Sequence, residues 1–359
     1  KLHLGNYHGA LKNWVKLQHE YECFFAVVDI HALTTDYEDP TNISESVWNM
    51  VIDWLAAGLS PNSAHIFIQS KVPEIAELHL LLSMITPVSW LERVPTYKDQ
   101  QEKLKHKDLS TYGFLGYPLL QSADILAFKS THVPVGEDQV AHVELVREVA
   151  RRFNHLYGRD KDYQQKAEQA IEKLGKKNAG LYRRLCKAYQ EQGDEEALST
   201  AQALVSGLRN LTVNDQERLL GYLEGGGKII LPEPEVLLTE HAVLPGLDGR
   251  KMSKSYGNTI MLRDKPDVIT DKVKTMQTDP ARVRRNDPGN PDKCPVWPLH
   301  QVYSSRDTQD WVKKGCQSAG IGCLDCKKSL SEAIIKEHEP MRERAEEFAE
   351  NPALVRSIV

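Results

Sequence analysis

The sequence predicts an α/β fold built on a doubly wound parallel sheet, and three observations lead there. A Gly-containing polar turn, "HLGNYHG" (3–9), opens a helical stretch to about Tyr21 and is followed by the β-rich run "CFFAVVD" (23–29). A second helix and strand repeat that order, with the strand at "AHIFIQS" (64–70). A third turn-then-helix pattern stands at "VPVGEDQVAHVELVREVARRFN" (133–154). Such alternation favours parallel strands with helical crossovers, and ligands then gather at the carboxyl ends of the strands.

The elements follow in order. The opening turn, helix and strand make half of a βαβ unit whose first strand would lie before Lys1. Ser44 is the candidate N-cap of a helix reaching about Gly58, and another helix runs from about Pro73 to Met84. In the 133–154 stretch Val140, Val143, Val146, Val149 and Phe153 share one helical face, an ordinary core stripe below a polar N-terminal turn. Residues 161–228 are rich in Ala, Gln, Glu and Lys, broken by "GDEE" and closed by "EGGGK", which reads as an insertion of about three helices. Beyond Leu262 the pattern is helical again, interrupted by a Pro-rich segment around Cys294. The predicted domains are a catalytic domain over 1–160, the insertion over 161–228, the catalytic domain again over 229–263, and a helical domain over 264–359.

The bulk numbers set bounds. With 359 residues, 41% apolar and 26% charged, the chain suits a globular protein of two or three domains. No apolar run approaches the ~20 residues of a membrane span, so no membrane role is expected. Net charge is −5, yet residues 271–328 carry eleven Lys and Arg against seven Asp, a local basic region on an acidic body. Cys23 and Cys186 stand alone in apolar surroundings. Cys294, Cys316, Cys323 and Cys326 fall together, separated by 21, 6 and 2 residues, which points to a metal or cluster site in a reducing compartment more than to disulfides.

Two stretches carry chemistry. At the opening turn, Gly5 leaves room for a planar base or ribose against the backbone, and His3 and Asn6 offer donors to phosphate oxygens. At "GLDGRKMSKSYGN" (246–258), Lys251 and Lys254 sit close enough that an anion between them relieves their repulsion. Glycines 246, 249 and 257 give that loop freedom to open and close over a ligand, so its cations suit charge developing on a leaving pyrophosphate. Read singly, the first stretch is a polar turn and the second a flexible basic loop.

Taken together and in this order, the two resemble the signatures of class I aminoacyl-tRNA synthetases, His3-Leu4-Gly5-Asn6 for the first and Lys251-Met252-Ser253-Lys254-Ser255 for the second. "GNYHGAL" (5–11), "YPLLQSADIL" (117–126) and the 133–154 segment resemble the bacterial tryptophanyl branch, over nearly the whole chain except 161–228. The resemblance implies a Rossmann-like catalytic domain, a C-terminal helical anticodon-binding domain, a homodimer and a cytoplasmic setting. It implies ATP-dependent activation of L-tryptophan with Mg2+ and transfer to tRNA(Trp), with His3, Asn6, Lys251 and Lys254 in the catalytic roles.

It further implies that ATP meets His3, Gly5, Asn6, Lys98, Gly136, Asp138 and the loop residues Lys251 to Ser255. Asp124 would accept the indole N–H, with His31, Tyr117, Gln121, Val133 and Val135 around the ring and Gln139 and Tyr117 on the ammonium. A buried acceptor facing an N–H discriminates, because a ligand without that donor leaves it unpaired. Read alone, Asp124 is equally a helix-capping carboxylate before "ILAF". Gln121 departs from the family's usual methionine, and Gln100 from a second lysine.

The segment "CQSAGIGCLDCKKSL" (316–330) resembles tryptophanyl enzymes that carry a [4Fe-4S] cluster, with tetrahedral Zn2+ as the alternative for the same four thiolates. Lys313, Lys314, Lys327 and Lys328 are expected to face phosphate around it. The rival readings are the tyrosyl sister enzyme, a non-catalytic tRNA-binding descendant, and a small-molecule nucleotidyltransferase.

Overall fold

A computed structural model describes residues 1–95, 109–159, 162–238 and 243–359. In chain order, helix α1 is Leu4–Asn6, a π-helical turn spans Tyr7–Leu11, and α2 is Lys12–Leu17. Strand β1 (Cys23–Val27), α3 (Asp29–Asp36), α4 (Ile43–Ala57), β2 (Ala64–Ile68), α5 (Pro73–Ser83) and α6 (Val88–Glu92) follow. Next are α7 (Tyr112–Leu115), α8 (Tyr117–Leu126), β3 (His132–Val135) and α9 (Val140–Tyr157). Four helices come after: α10 (Tyr163–Lys173), α11 (Lys176–Gln192), α12 (Glu195–Ser206) and α13 (Val213–Leu223). Strand β4 (Glu235–Leu238), α14 (Pro266–Thr275), α15 (Trp297–Tyr303), α16 (Arg306–Gln317), α17 (Cys323–Glu350) and α18 (Pro352–Ile358) complete the order.

These elements form two compact units, residues 1–71 with 239–359, and residues 72–238. In the first, β1 pairs with β2 in parallel, Cys23 opposite Ala64 through Val27 opposite Ile68. Their inward residues Phe25, Val27, Ile66 and Ile68 are buried with Val51 and Trp54 of α4. That is one βαβ crossover, as the run of apolar residues in both strands predicts. The core of this unit continues through Leu4, Met252, Ile260, Val273 and Met276 to Leu330 and Ile334 of α17.

In the second unit β3 pairs with β4 in parallel, His132 opposite Glu235 through Val135 opposite Leu238. Val143, Val146 and Val149 of α9 are wholly buried, with the stripe's ends, Val140 and Phe153, half-buried. Helices α10 to α13 close over their own core of Ile171, Tyr182, Cys186, Val205, Leu219 and Leu223, where the Tyr182 hydroxyl donates to Leu219 O at 2.5 Å.

Three local expectations are corrected. The 161–228 stretch holds four helices where about three were predicted, because Gly193 in the left-handed region (φ 67°) ends one helix and Asp194 caps the next through Glu196 N and Ala197 N. Ser44 lies inside α4, whose N-cap position belongs to Asn42. The polar turn at the start is already helical: His3 is itself the N-cap of α1.

Candidate active site

In the first unit His3 and Asn6 cap one another. Asn6 N donates to His3 Nδ1 at 3.3 Å, and His3 N donates to Asn6 Oδ1 at 3.1 Å. Residues 2 to 4 pair with the backbone just past the lysine-bearing loop, through Leu4 N to Ile260 O at 3.0 Å and Leu262 N to Leu2 O at 2.9 Å. This ladder brings the two signatures together. A Cβ on Gly5 would lie 3.0 Å from His3 Nδ1 and 3.5 Å from Met252 Cβ, so any side chain there would crowd both.

Met252 is buried in the core while Lys251, Lys254 and Ser255 on either side are exposed and Ser253 is half-buried. The loop is thus rooted by an apolar side chain and projects its cations outward. His3 is held neutral well below the ordinary imidazole range, at about 4, by burial first and then by Lys254 and Lys251. Both lysines therefore bear electrostatically on the histidine of the other signature.

The loop has more internal order than its glycines suggest. Asn258, which sequence reading passed over, is buried and holds three points of the loop: it accepts from Ser253 N at 2.8 Å and donates to Asp248 Oδ1 at 2.7 Å and to Lys251 O at 3.2 Å. A Cβ on Gly246 would strike the Asn258 side chain at 2.4 Å, so close approach requires that glycine, while Gly249 and Gly257 take positive φ of 79° and 64°. Arg250 pairs with Asp248 at 2.6 Å and lies over the Tyr256 ring. His31, on α3, donates its backbone N–H to the buried Gln69 Oε1 at 3.3 Å, and Asp29 accepts from Ser70 N at 3.0 Å.

The second unit holds the other predicted residues. Tyr117, Gln121 and Asp124 lie at positions i, i+4 and i+7 of α8, hence on one face, all half-buried. Asp124 sits well inside that helix, so it is not an N-cap. The Tyr117 hydroxyl lies 3.3 Å from Nε2 of His142, a buried residue of α9 that the sequence reading missed inside an ordinary core stripe. Val133 and Val135 share one side of β3, and Gly136, Asp138 and Gln139 form the turn between β3 and α9, with Gln139 Nε2 donating to Asp138 Oδ2 at 3.0 Å. Lys98 and Gln100 lie outside the described residues. A polar cavity of about 570 Å3 lined by Arg159, Tyr163, Gln190 and Tyr222 holds none of the predicted site residues.

The cysteines lie in the first unit, all four as free thiols. Burial pushes the Cys326 thiol up to about 12, with Cys294, Cys316 and Cys323 adding to it, so the other three bear on Cys326. Among the described residues no three His, Cys, Asp or Glu side chains stand in a metal-ligating arrangement. Arg282, nine-tenths buried, approaches Cys316 Sγ at 3.8 Å and donates to Arg285 O and Ile321 O, while its Nε has no partner among the described residues. Lys313, Lys314 and Lys328 are exposed as expected, but Lys327 is not: it is buried and donates to Lys274 O at 2.8 Å and Met276 O at 2.5 Å.

In the first unit a histidine turn thus stands against a rooted loop with two outward lysines, beside a parallel crossover. Residues 1–184 and 208–339 match the family described as tRNA synthetases class I (W and Y). The tryptophan–tRNA ligase of Ralstonia nicotianae is 64% identical over 358 residues, which cover 100% of this chain and 90% of that protein. That of Thermotoga maritima is 43% identical, covering 100% of this chain and 89% of its own. Among solved structures, tryptophanyl-tRNA synthetase from Campylobacter jejuni complexed with ADP and tryptophan aligns with a TM-score of 0.71 at 26% identity, over 99% of this chain and 88% of that one. The chain belongs to the class I tRNA synthetases of the tryptophan and tyrosine family, with the fold of that class.

Proposed function

We propose that the chain joins L-tryptophan to tRNA(Trp) at the expense of ATP, through a tryptophanyl-adenylate, and so serves protein synthesis. The observation that carries this reading is the packing of Gly5 against Met252, with Lys251 and Lys254 both acting on His3, in a chain whose relatives at 64% and 43% identity are tryptophan–tRNA ligases. The substrate carboxylate attacks the α-phosphorus of ATP and pyrophosphate leaves. No side chain serves as nucleophile; His3, Asn6, Lys251 and Lys254 stabilise charge that grows in the transition state. His3, neutral at physiological pH, acts as a hydrogen-bonding group and not as a cation. Mg2+, bound together with ATP, would offset charge on the triphosphate oxygens beside Lys251 and Lys254.

In the second unit, Asp124, Tyr117 and Gln121 on their shared face of α8, with Val133 and Val135, are the groups we assign to tryptophan, and Gly136, Asp138 and Gln139 to the nucleotide and ammonium side; the assignment of His31 to tryptophan rests on family likeness alone. The family likeness supports a cytoplasmic homodimer with the anticodon read by the C-terminal helices, and no helix among the described residues is long and apolar enough to cross a membrane. Charging of a tRNA(Trp) transcript with labelled tryptophan, ATP and Mg2+ tests the reading. Charged tRNA(Trp), with no charging of a tRNA(Tyr) control, supports it; absence of charging by folded protein rejects it.

For the four cysteines we favour a [4Fe-4S] cluster held by Cys294, Cys316, Cys323 and Cys326, with zinc as the alternative. The all-thiolate donor set suits both, and the unpartnered Arg282 N–H and buried Lys327 supply positive charge where four thiolates need it. Either group would staple the start of α17 to the end of α16 and to the segment before α15. Iron and sulfide near four each per chain after anaerobic purification distinguish the cluster from about one zinc.

A further inference from the structure

The C-terminal helical part and the lysine-bearing loop are joined by a continuous set of polar contacts within the first unit. Helix α14 ends at Thr275 with its last carbonyls short of helical partners. Thr275 Oγ1 accounts for Lys272 O and Met276 N for Val273 O, which leaves Lys274 O and Thr275 O of the helix and, beyond it, Met276 O; of these, Lys274 O and Met276 O are the two that Lys327 reaches. Lys327, from the first turns of α17 and only 6% exposed, donates to both. A cation at a helix C-terminus is also favoured by the helix dipole. The next residue, Gln277, donates its backbone N–H to Leu247 O at 3.0 Å, inside the loop. From the same helix Lys272 Nζ donates to Thr259 O at 3.0 Å, just past the loop's other end. On the opposite side, a Cβ on Gly249 would lie 3.0 Å from Pro295 Cγ, and a cavity of about 320 Å3 lies between Lys251 and the Asp292 to Pro295 segment.

We propose that Lys327 is a positioning residue for the lysine-bearing loop: by holding the exit of α14 it fixes Gln277, and through Gln277 the Leu247 end of the loop that carries Lys251 and Lys254. It does not touch substrate. Its side chain is spent on two backbone carbonyls, so its removal leaves the buried Met276 O and the part-buried Lys274 O without their donor and loosens the loop at one root while Met252 and Asn258 hold the other. This rests on the reading that Lys251 and Lys254 stabilise the leaving pyrophosphate.

The test uses the full chain carrying Lys327→Met, which keeps the stem and removes the donors, and separately Gln277→Pro, which removes the N–H that reaches Leu247 together with the Gln277 side chain, with Gln277→Ala as the control for the side chain alone. Met276 is extended (ψ 141°), the conformation a following proline requires, so the second change suits the local backbone. Amide hydrogen exchange over 246–258 and kinetics of tryptophan-dependent ATP–pyrophosphate exchange are measured on each. Both variants are expected to exchange amides faster in 246–258 with the β1–β2 core unchanged, and to lose about tenfold or more in kcat with the KM for tryptophan within about twofold of the parent. Lys327→Arg should recover part of the loss.

Unchanged loop exchange and unchanged kcat in either folded variant overturn the proposal, as does a rise in exchange spread evenly over the first unit. Should Lys327→Met fail to fold, Gln277→Pro decides the matter alone. If the parent protein shows no tryptophan-dependent exchange, the functional reading fails while the amide-exchange comparison still decides the positioning role.

Discussion

At the scale of single residues, the site is a problem of placing charge. Lys254 is exposed and bears on a neutral His3, so its charge is available to a ligand and is not consumed by an ion pair among those described. Lys254→Ala should therefore lower the rate of pyrophosphate exchange on the order of 10²-fold while the KM for tryptophan stays within about twofold, as loss of a transition-state contact does. The same scale holds a pH effect on stability. His338 packs its ring against Tyr7 and His8, takes Tyr303 Oη at 2.9 Å on Nε2, and is held at about 4 by burial first and Lys12 second. His8 is held at about 3 by burial, then Lys12 and His338. Each is depressed below 6.5, so the unfolded chain binds the proton first on acidification. Stability present above pH 6.5 is lost as pH falls toward about 4, and urea midpoints followed over that range should fall less steeply in His338→Gln.

At the scale of elements, the loop and the helices that brace it set what can be changed. Gly246→Ala places a Cβ against the buried side chain and carbonyl of Asn258, and should cost about 1–3 kcal/mol with the loss concentrated in 246–258, as thermal melts combined with amide exchange would show. Asp53 of α4 is buried and accepts from Arg263 Nε at 2.5 Å and from Leu2 N at 2.6 Å, which ties the chain's first residues to the segment after the loop. Asp53→Ala strands Arg263 and should cost about 3–5 kcal/mol by urea unfolding, enough to misplace His3 as well.

Elements with a clean period were legible in the sequence: β1, β2, α5 and the α9 stripe stand where alternation and helical spacing put them. What escaped was decided by contacts that no helical or strand period encodes. Asn258 looked like an ordinary loop residue because its three partners, all within the same loop, converge on it only when the loop folds back on itself, and His142 looked like part of a core stripe because its partner Tyr117 is 25 residues away. Lys327 was read as phosphate-facing from its basic neighbours, yet the end of α14 offers it two carbonyls, the part-buried Lys274 O and the buried Met276 O, which no local pattern reveals.

Over the whole molecule, the signatures were legible because each needs fixed residue types at fixed spacing, and their meeting in the first unit follows from a short antiparallel contact between residues 2–4 and 260–262. The residues proposed for tryptophan show no such fixed spacing as a motif; what joins Tyr117, Gln121 and Asp124 is the shared face of α8. The central claim is that this constellation activates tryptophan. ATP–pyrophosphate exchange with tryptophan and, separately, with tyrosine tests it most directly. Exchange with tryptophan alone is the predicted result; exchange with tyrosine, or with neither amino acid in folded protein, would contradict it.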